Sequence, residues 1–409
     1  MNPKSIEILS PAGDIERLIS AIHFGADAVY LAGKQFGMRT NPSNFSNEEL
    51  AQAVSYAHNH NVRVYLCCNT LVHNDELKKL PKFLKFAAEC KVDAFIIADI
   101  GVFAMAQKYA PQVEIHISTQ FGITNYETAN KLYSMGAKRI VLARELSLDE
   151  IKIIRQNTPD DLEIEAFVHG AMCMSFSGRC MISKYLTNRD ANRGDCAQPC
   201  RWEYALMEKN RKGEYFPIEE DATGTYFFNS KDMCMIDHIP ELIDAGITSL
   251  KIEGRAKSAY YTAVITNAYK CALNAYLYAT STGTPYKLKS WISNEVNMIS
   301  HREYSTGFFF EDEPGQKYDS GGYIREYDLV AVCEHMDSNF AHISQRNKFF
   351  TGDTLNVLEP NKKPYDIIVT EMYDEYGNTV NSAPHAMQKL KIKTSVDIAP
   401  GALIRSKRK

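Results

Sequence analysis

Ile6-Glu-Ile-Leu-Ser-Pro11, Gly13-Asp-Ile-Glu-Arg-Leu-Ile-Ser-Ala-Ile-His-Phe-Gly25 and Ala28-Val-Tyr-Leu-Ala-Gly33 set the pattern for the first 255 residues. The outer pieces read as short apolar strands. The middle piece has apolar residues at helical spacing and closes on a glycine. Six further runs continue the pattern: Val62–Asn69, Ala94–Asp99, Glu114–Gln120, Arg139–Arg144, Glu163–His169 and Ser249–Gly254. Strands alternating with helices predict a parallel α/β fold. The count of eight favours a closed (β/α)8 TIM-like barrel over a doubly wound open sheet. Polar residues gather at the carboxyl ends of the runs, where such barrels place their chemistry: Asn69, Asp99, Gln120, Arg144, His169 and Glu253.

The seventh and eighth runs are separated by a long segment, 171–248, which reads as a functional insertion. A helix through Tyr260–Thr280 follows, and a break at Ser281-Thr-Gly-Thr-Pro285 ends the barrel domain, 1–285. Residues 286–319 read as a connecting segment. From 320 to 409 short alternating runs (Gly322–Arg325, Asp328–Cys333, Asp353–Leu358 and Tyr365–Thr370) predict a small C-terminal all-β, barrel-like domain.

The chain has 409 residues, 45% hydrophobic and 23% charged, with a net charge of −4. These are ordinary globular values. The amino terminus lacks a secretory h-region, and no apolar run is long enough to span a bilayer. The expectation is a cytoplasmic protein with reduced thiols and no membrane contact. The acidic balance argues against non-specific nucleic-acid binding by a basic domain, though not against a local basic patch. Arg405-Ser-Lys-Arg-Lys409 is such a patch and reads first as a solvated tail.

Ten cysteines are present. Cys173, Cys180, Cys196 and Cys200 lie close together in the insertion, and Cys234 follows. Clustered thiols without an export signal argue for metal ligation or catalysis rather than disulfides. Four thiolates satisfy a 4Fe–4S cluster or a structural zinc. Cys67, Cys68, Cys90, Cys271 and Cys333 read instead as small buried hydrophobes. His116, within a strand, reads as structural. No H-E-x-x-H or G-x-S-x-G motif occurs.

Glu165-x-Phe167-x2-Gly170-Ala171-Met172-Cys173-x4-Gly178-x-Cys180-x-Ile182-Ser183 matches, at every fixed position, the signature of the collagenase-like peptidase family of unknown catalytic type, U-32. Leu9–Gly13, Gly25–Tyr30, Asn192–Arg201 and Lys251–Arg255 resemble that family too. The resemblance spans nearly the whole chain, and the layout is most similar to its tRNA hydroxylation branch. It implies prephenate-dependent hydroxylation of the wobble uridine of tRNA to 5-hydroxyuridine, with an unnamed electron-transfer partner. It also implies a 4Fe–4S cluster on Cys173, Cys180, Cys196 and Cys234, with Cys200 as an alternative fourth ligand and zinc as the alternative metal.

A dicarboxylate such as prephenate needs converging cations and amide donors. The candidates are Arg39, Asn69, Gln120, Arg144, Lys251 and Arg255, with His169 and Glu253 as candidate catalytic groups. Each has a plainer reading as a helix cap or a local ion pair, Arg144 with Glu145 and Lys251 with Glu253. Phe176, Trp202 and Tyr204 are candidates to stack on a splayed base. Two rival functions stand beside this one. A peptidase would rest on Cys173 with His169, the only local pair. A non-catalytic Fe–S accessory or scaffold protein would serve another hydroxylation pathway.

Overall fold

The computed structural model describes residues 6–38, 44–172, 180–202, 206–207, 215–216, 231–310 and 323–408; Arg39, Cys173, Phe176 and Tyr204 lie outside them. Two compact units result. One comprises Met1–Ile22, Ala26–Lys257 and Arg302–Tyr323; the other comprises His23–Gly25, Ser258–His301 and Ile324–Lys409.

The first unit is a closed parallel barrel. Its strands are β1 (Glu7–Pro11), β2 (Ala28–Leu31), β3 (Arg63–Cys68), β4 (Ala94–Ile97), β5 (Glu114–Ile117), β6 (Arg139–Val141), β7 (Glu163–Ala171) and, beyond the insertion, β11 (Ser249–Ile252). Each pairs in parallel with the next, and β11 pairs with both β1 and β7, which closes the ring. Strands β1, β2, β4, β6 and β11 are buried at every residue, as parallel strands covered on both faces must be.

The connecting helices are α1 (Ile15–His23), α2 (Asn47–Asn59), α3 (Leu80–Glu89), α4 (Ile100–Tyr109), α5 (Tyr126–Ser134) and α6 (Leu148–Gln156). Their starts are written in the sequence. Ser46 with Glu49, and Ser147 with Glu150, form reciprocal capping boxes at α2 and α6. Asp99 caps α4, its Oδ1 accepting from the Val102 N–H at 3.0 Å. This strand-end carboxylate therefore serves the helix.

Described parts of the insertion are α7 (Ile182–Thr187), the paired β8 (Leu206–Met207) and β9 (Tyr215–Phe216), and β10 (Asp232–Cys234), before α8 (Ile239–Asp244) leads to β11. Strand β10 runs antiparallel to the end of β7 and pairs in parallel with β12 (Tyr304–Ser305). The insertion thus returns to the barrel as an extra strand before residue 248, which the sequence does not announce. Asp232 anchors it: Arg302 Nη2 and Nε donate to Asp232 at 2.7 and 3.1 Å, both residues buried.

The second unit holds α9 (Ala259–Thr282), capped by Ser258, and α10 (Ser290–Glu295). Its seven-stranded sheet is formed by β13 (Tyr327–Asp337), β14 (Phe340–Gln345), β15 (Thr354–Leu358), β16 (Tyr365–Ile368), β17 (Met372–Asp374), β18 (Lys389–Lys393) and β19 (Leu403–Lys407). The order is β16-β15-β19-β13-β14-β18-β17, with every pairing antiparallel. Val330, Ile343, Phe349, Val357, Ile392 and Ile404 sit in its apolar core.

One expectation fails here. The basic carboxy terminus is not simply a solvated tail, because β19 lies between β13 and β15. Arg405 is 1% exposed. Its Nη1 and Nη2 donate to the two carboxylate oxygens of Glu295 at 2.9 and 2.7 Å, a bidentate pair that makes its burial tolerable. Among the described residues of the run, Lys407 and Arg408 are the exposed ones.

Candidate active site

Residues two apart on a strand share a face. The barrel interior is therefore filled by short series read up each strand: Arg63, Tyr65, Cys67 and Asn69; Glu163, Glu165 and Phe167; Ser249, Lys251, Glu253 and Arg255, while a register shift after Phe167 sets His169 opposite Ile252. Their lower members form a charged layer. Arg139, 1% exposed, donates to Glu163 at 2.5 Å, to Glu165 at 3.0 Å, to Ser249 Oγ at 3.2 Å and to Glu7. Glu7 also takes Arg63 and the Tyr65 hydroxyl, the latter at 2.9 Å.

Burial pushes the Glu7 carboxyl up, but the Arg139 and Arg63 charges outweigh it and hold its pKa below the usual range. Burial and then the Glu7 charge push the Tyr65 phenol up. His116 is fully buried beside Tyr65, with ring centroids 4.7 Å apart. Burial, with Arg139, Lys251 and Arg63, holds its pKa well below the usual imidazole value, so it is neutral.

Above this layer lies a pocket of about 110 Å³. It is lined by Tyr30, Met38, Cys67, Asn69, Ile96, Ser118, Thr119, Gln120, Arg144, Phe167, Lys251, Glu253 and Arg255. Six residues singled out from the sequence therefore converge: Asn69, Gln120, Arg144, Lys251, Glu253 and Arg255. Their pairings differ from the local ones expected. Lys251 donates to Glu165 at 2.5 Å, not to Glu253. Its ammonium lies 4.7 Å from the centre of the Tyr30 ring. Arg144 faces Glu253 at 3.5 Å, not Glu145. Arg144 and Glu253 both lie just beyond the carboxyl ends of their strands, β6 and β11, where the chain turns over the barrel mouth and side chains far apart in sequence meet.

Arg144 lies flat on Phe167, its Cζ 4.0 Å from the ring centre, and Nη1 donates to the Ala171 carbonyl at 3.1 Å. Its Nε, and Gln120 Oε1, are buried with no hydrogen-bond partner among the described residues. Such groups are costly unless something meets them. Asn69 Oδ1 accepts from the Met38 N–H at 3.1 Å, and Arg255 donates to the Met38 carbonyl. Both residues thus hold the loop that leads to Arg39. Arg255 is itself placed by Gly13, where a Cβ would come within 2.3 Å of the Arg255 carbonyl oxygen; only glycine permits that approach. Ser118 and Thr119, which the sequence reading missed, complete the lining; their signal was position at the end of β5.

His169 is 1% exposed and its ring lies 5.3 Å from Tyr304. It does not line the pocket. In the β7–β10 register it stands opposite Cys234. Cys180, Cys196, Cys200 and Cys234 are half-buried thiols. Asn192 Nδ2 donates to the Cys180 carbonyl at 2.9 Å, and the Gln198 N–H donates to Cys196 Sγ at 3.3 Å. Arg193 ties this part of the insertion to the segment after β3, through the Leu71 carbonyl at 2.8 Å and Glu76 at 3.0 Å. Among the described residues no three His, Cys, Asp or Glu side chains gather as a metal cage; Cys173 is outside that set. In kind, the donor set of several reduced thiols in one insertion fits a soft, thiolate-bound metal centre. Of the aromatics singled out, Trp202 is 43% exposed, while Phe176 and Tyr204 lie outside the described residues. Among the described residues no helix is long and apolar enough to cross a membrane.

A closed (β/α)8 barrel with a polar pocket at the carboxyl ends of its strands and a thiol-bearing insertion after the seventh defines the class. Residues 13–319 match the model of Peptidase family U32, and residues 325–405 match that of the U32 C-terminal domain. The chain belongs to the U32 family. It is 35% identical over 408 residues to a protein of Bacillus subtilis (strain 168) named as a tRNA hydroxylation protein, covering 98% of this chain and 95% of that one. It is 44% identical over 363 residues to a Methanocaldococcus jannaschii protein named as an uncharacterized protease, covering 86% of each. It is 41% identical over 364 residues to a 23S rRNA 5-hydroxycytidine synthase of Escherichia coli (strain K12), covering 86% of this chain and 52% of that one.

Proposed function

We propose that this chain is an RNA-hydroxylating enzyme of the cytoplasm that converts the wobble uridine of tRNA to 5-hydroxyuridine, with prephenate as co-substrate and a 4Fe–4S cluster as cofactor. The observation that carries the reading is the pocket. Three cations, Arg144, Lys251 and Arg255, line it beside one acid, Glu253. That is an excess of positive charge, with the buried Nε of Arg144 to donate to a carboxylate and Oε1 of Gln120 to accept from a hydroxyl of the same ligand. It suits a small carboxylate. Relatives named for tRNA and rRNA hydroxylation support the RNA substrate. Cys173, Cys180 and Cys196, with Cys234 or Cys200 as the fourth ligand, would hold the cluster, which supplies the redox chemistry when bound. Arg144, Arg255 and Gln120 would bind and orient the carboxylate ligand, and Asn69 would fix the loop at Met38.

The test is iron and sulfide analysis of protein purified without oxygen, followed by tRNA nucleosides from a deletion strain. About four irons and four sulfides per chain, and loss of 5-hydroxyuridine-derived nucleosides, are expected. One zinc, no iron and unchanged tRNA nucleosides would overturn the reading. Cleavage of gelatin abolished by Cys173→Ser, without iron, would establish the peptidase alternative. An iron–sulfur protein whose loss leaves tRNA nucleosides unchanged would point to the accessory role.

A further inference from the structure

The outward face of the small antiparallel sheet carries a row of side chains that the barrel pocket does not use. Strand β18 reads Lys389-Leu-Lys-Ile-Lys393. Leu390 and Ile392 are buried in the core, so the three lysines share the opposite face, spaced by about 6.8 Å along the strand. The register places His342 of β14 on one side of Lys391 and Tyr373 of β17 on the other. His335 of β13 stacks on His342, with ring centroids 4.1 Å apart and planes at 18°. Phe340, opposite Lys393, meets Tyr373 edge-on at 5.8 Å. The outer lysines each touch one surface acid, Lys389 with Glu334 and Lys393 with Glu371 at 2.5 Å. Such half-exposed pairs open at little cost. Partial burial, then the neighbouring His335 and Lys391 charges, hold the His342 pKa below the usual imidazole value against the opposing pull of Asp337 and Glu334.

We propose that this face binds single-stranded RNA, the lysines taking phosphates and the flanking rings taking bases. A rail of cations between aromatic walls is the composition that single strands require, because every base has a face to stack and every nucleotide a phosphate to neutralise. A protein partner would instead need a lysine-poor, apolar centre, and the centre of this row is Lys391. The proposal rests on the RNA reading above but assigns a surface which that reading leaves open.

The experiment uses the full-length chain and a fluorescein-labelled oligouridylate, with anisotropy read across a salt series. His342→Ala and Tyr373→Ala are each expected to weaken binding at least fivefold. Lys391→Ala is expected to flatten the salt slope by about 0.7, and Lys391→Arg to restore it. Melting temperatures show whether each variant is folded, and Lys391→Arg supplies a variant that keeps the charge. Affinities of the alanine variants within twofold of the parent, or no RNA binding by the parent, would overturn the proposal. The two readings fail separately. If a deletion strain loses its hydroxylated nucleoside while the variants bind RNA normally, only this face is wrong. If the face binds RNA but no nucleoside is lost, the hydroxylation reading is wrong.

Discussion

The lower and upper halves of the barrel interior are built from the same residue types and do opposite things. Below, Glu7, Glu163 and Glu165 meet Arg63, Arg139 and Lys251, three charges against three, each carboxylate held by a cation. Above, Arg144 faces Glu253, and Arg144 Nε and Gln120 Oε1 are buried without a described partner. The difference is completeness. A buried network whose charges are all met specifies the fold; one that leaves a charged donor and an amide acceptor unmet is arranged for something that arrives.

The largest effect should come from breaking the lower half. Arg139→Met removes the cation that Glu7, Glu163 and Glu165 share and leaves only Arg63 and Lys251 against three carboxylates, and unfolding free energy should fall by about 3–5 kcal/mol, read from urea denaturation. A loss below about 1 kcal/mol would mean that the lower layer is not structural. In the upper half, Arg144→Ala should leave the urea midpoint nearly unchanged. It should weaken prephenate binding by roughly 10- to 100-fold, as expected for about 1.5–3 kcal/mol lost with a charged hydrogen bond. Arg144→Lys should not restore it, because the planar contact on Phe167 and the fork are both lost. Calorimetric titration that shows equal affinity for all three proteins would remove Arg144 from the site.

Much of this was legible in the sequence, and particular residues show why. Strand period two places Lys251, Glu253 and Arg255 on one inner face without any structure, and the fold brings them into one pocket with Asn69, Gln120 and Arg144. What the sequence hides is which cation faces which acid. Lys251 and Glu165 are 86 positions apart, and only closure of β11 on β7 brings them together. The strand β10 was hidden for a related reason. Asp232-Met-Cys234 is too short to show a period, and it is a strand only because β7 and β12 flank it. Arg405 was misread because a basic run looks solvated until its partner, Glu295, is found 110 positions away.

The neutral His116 adds a pH handle on the lower layer. Its folded-state pKa is depressed, so below the unfolded value of about 6.5 the unfolded chain takes up a proton that the folded chain refuses. Stability is therefore full above about pH 6.5 and falls as pH drops below it, by up to about 1.4 kcal/mol per pH unit. Glu7, also depressed, adds a second loss that begins only below the ordinary carboxylate range. His116→Gln should flatten the slope between pH 6.5 and 5 and leave the lower limb in place. An unaltered slope would show that His116 is not the group titrating.

The smallest effect in stability should come from the clasp between the insertion and the barrel. Arg193 holds Glu76 from a half-exposed position, and the His73 N–H, at 2.9 Å, also keeps that carboxylate charged. Exposed pairs of this kind contribute at most about 1 kcal/mol, so Arg193→Ala should barely move the urea midpoint. It does, however, remove two ties between the thiol-bearing segment and the segment after β3, the Glu76 pair and the Leu71 carbonyl bond. Local opening depends on such ties rather than on global stability. Limited proteolysis at Lys184 and Arg189 should then quicken several-fold while the melting temperature stays within a degree or two. If cleavage keeps the parental rate, the insertion is held by its other contacts and the clasp is incidental. A fall in melting temperature as large as that of Arg139→Met would instead place this ion pair with the lower layer, and the distinction between the met and unmet halves would no longer follow burial.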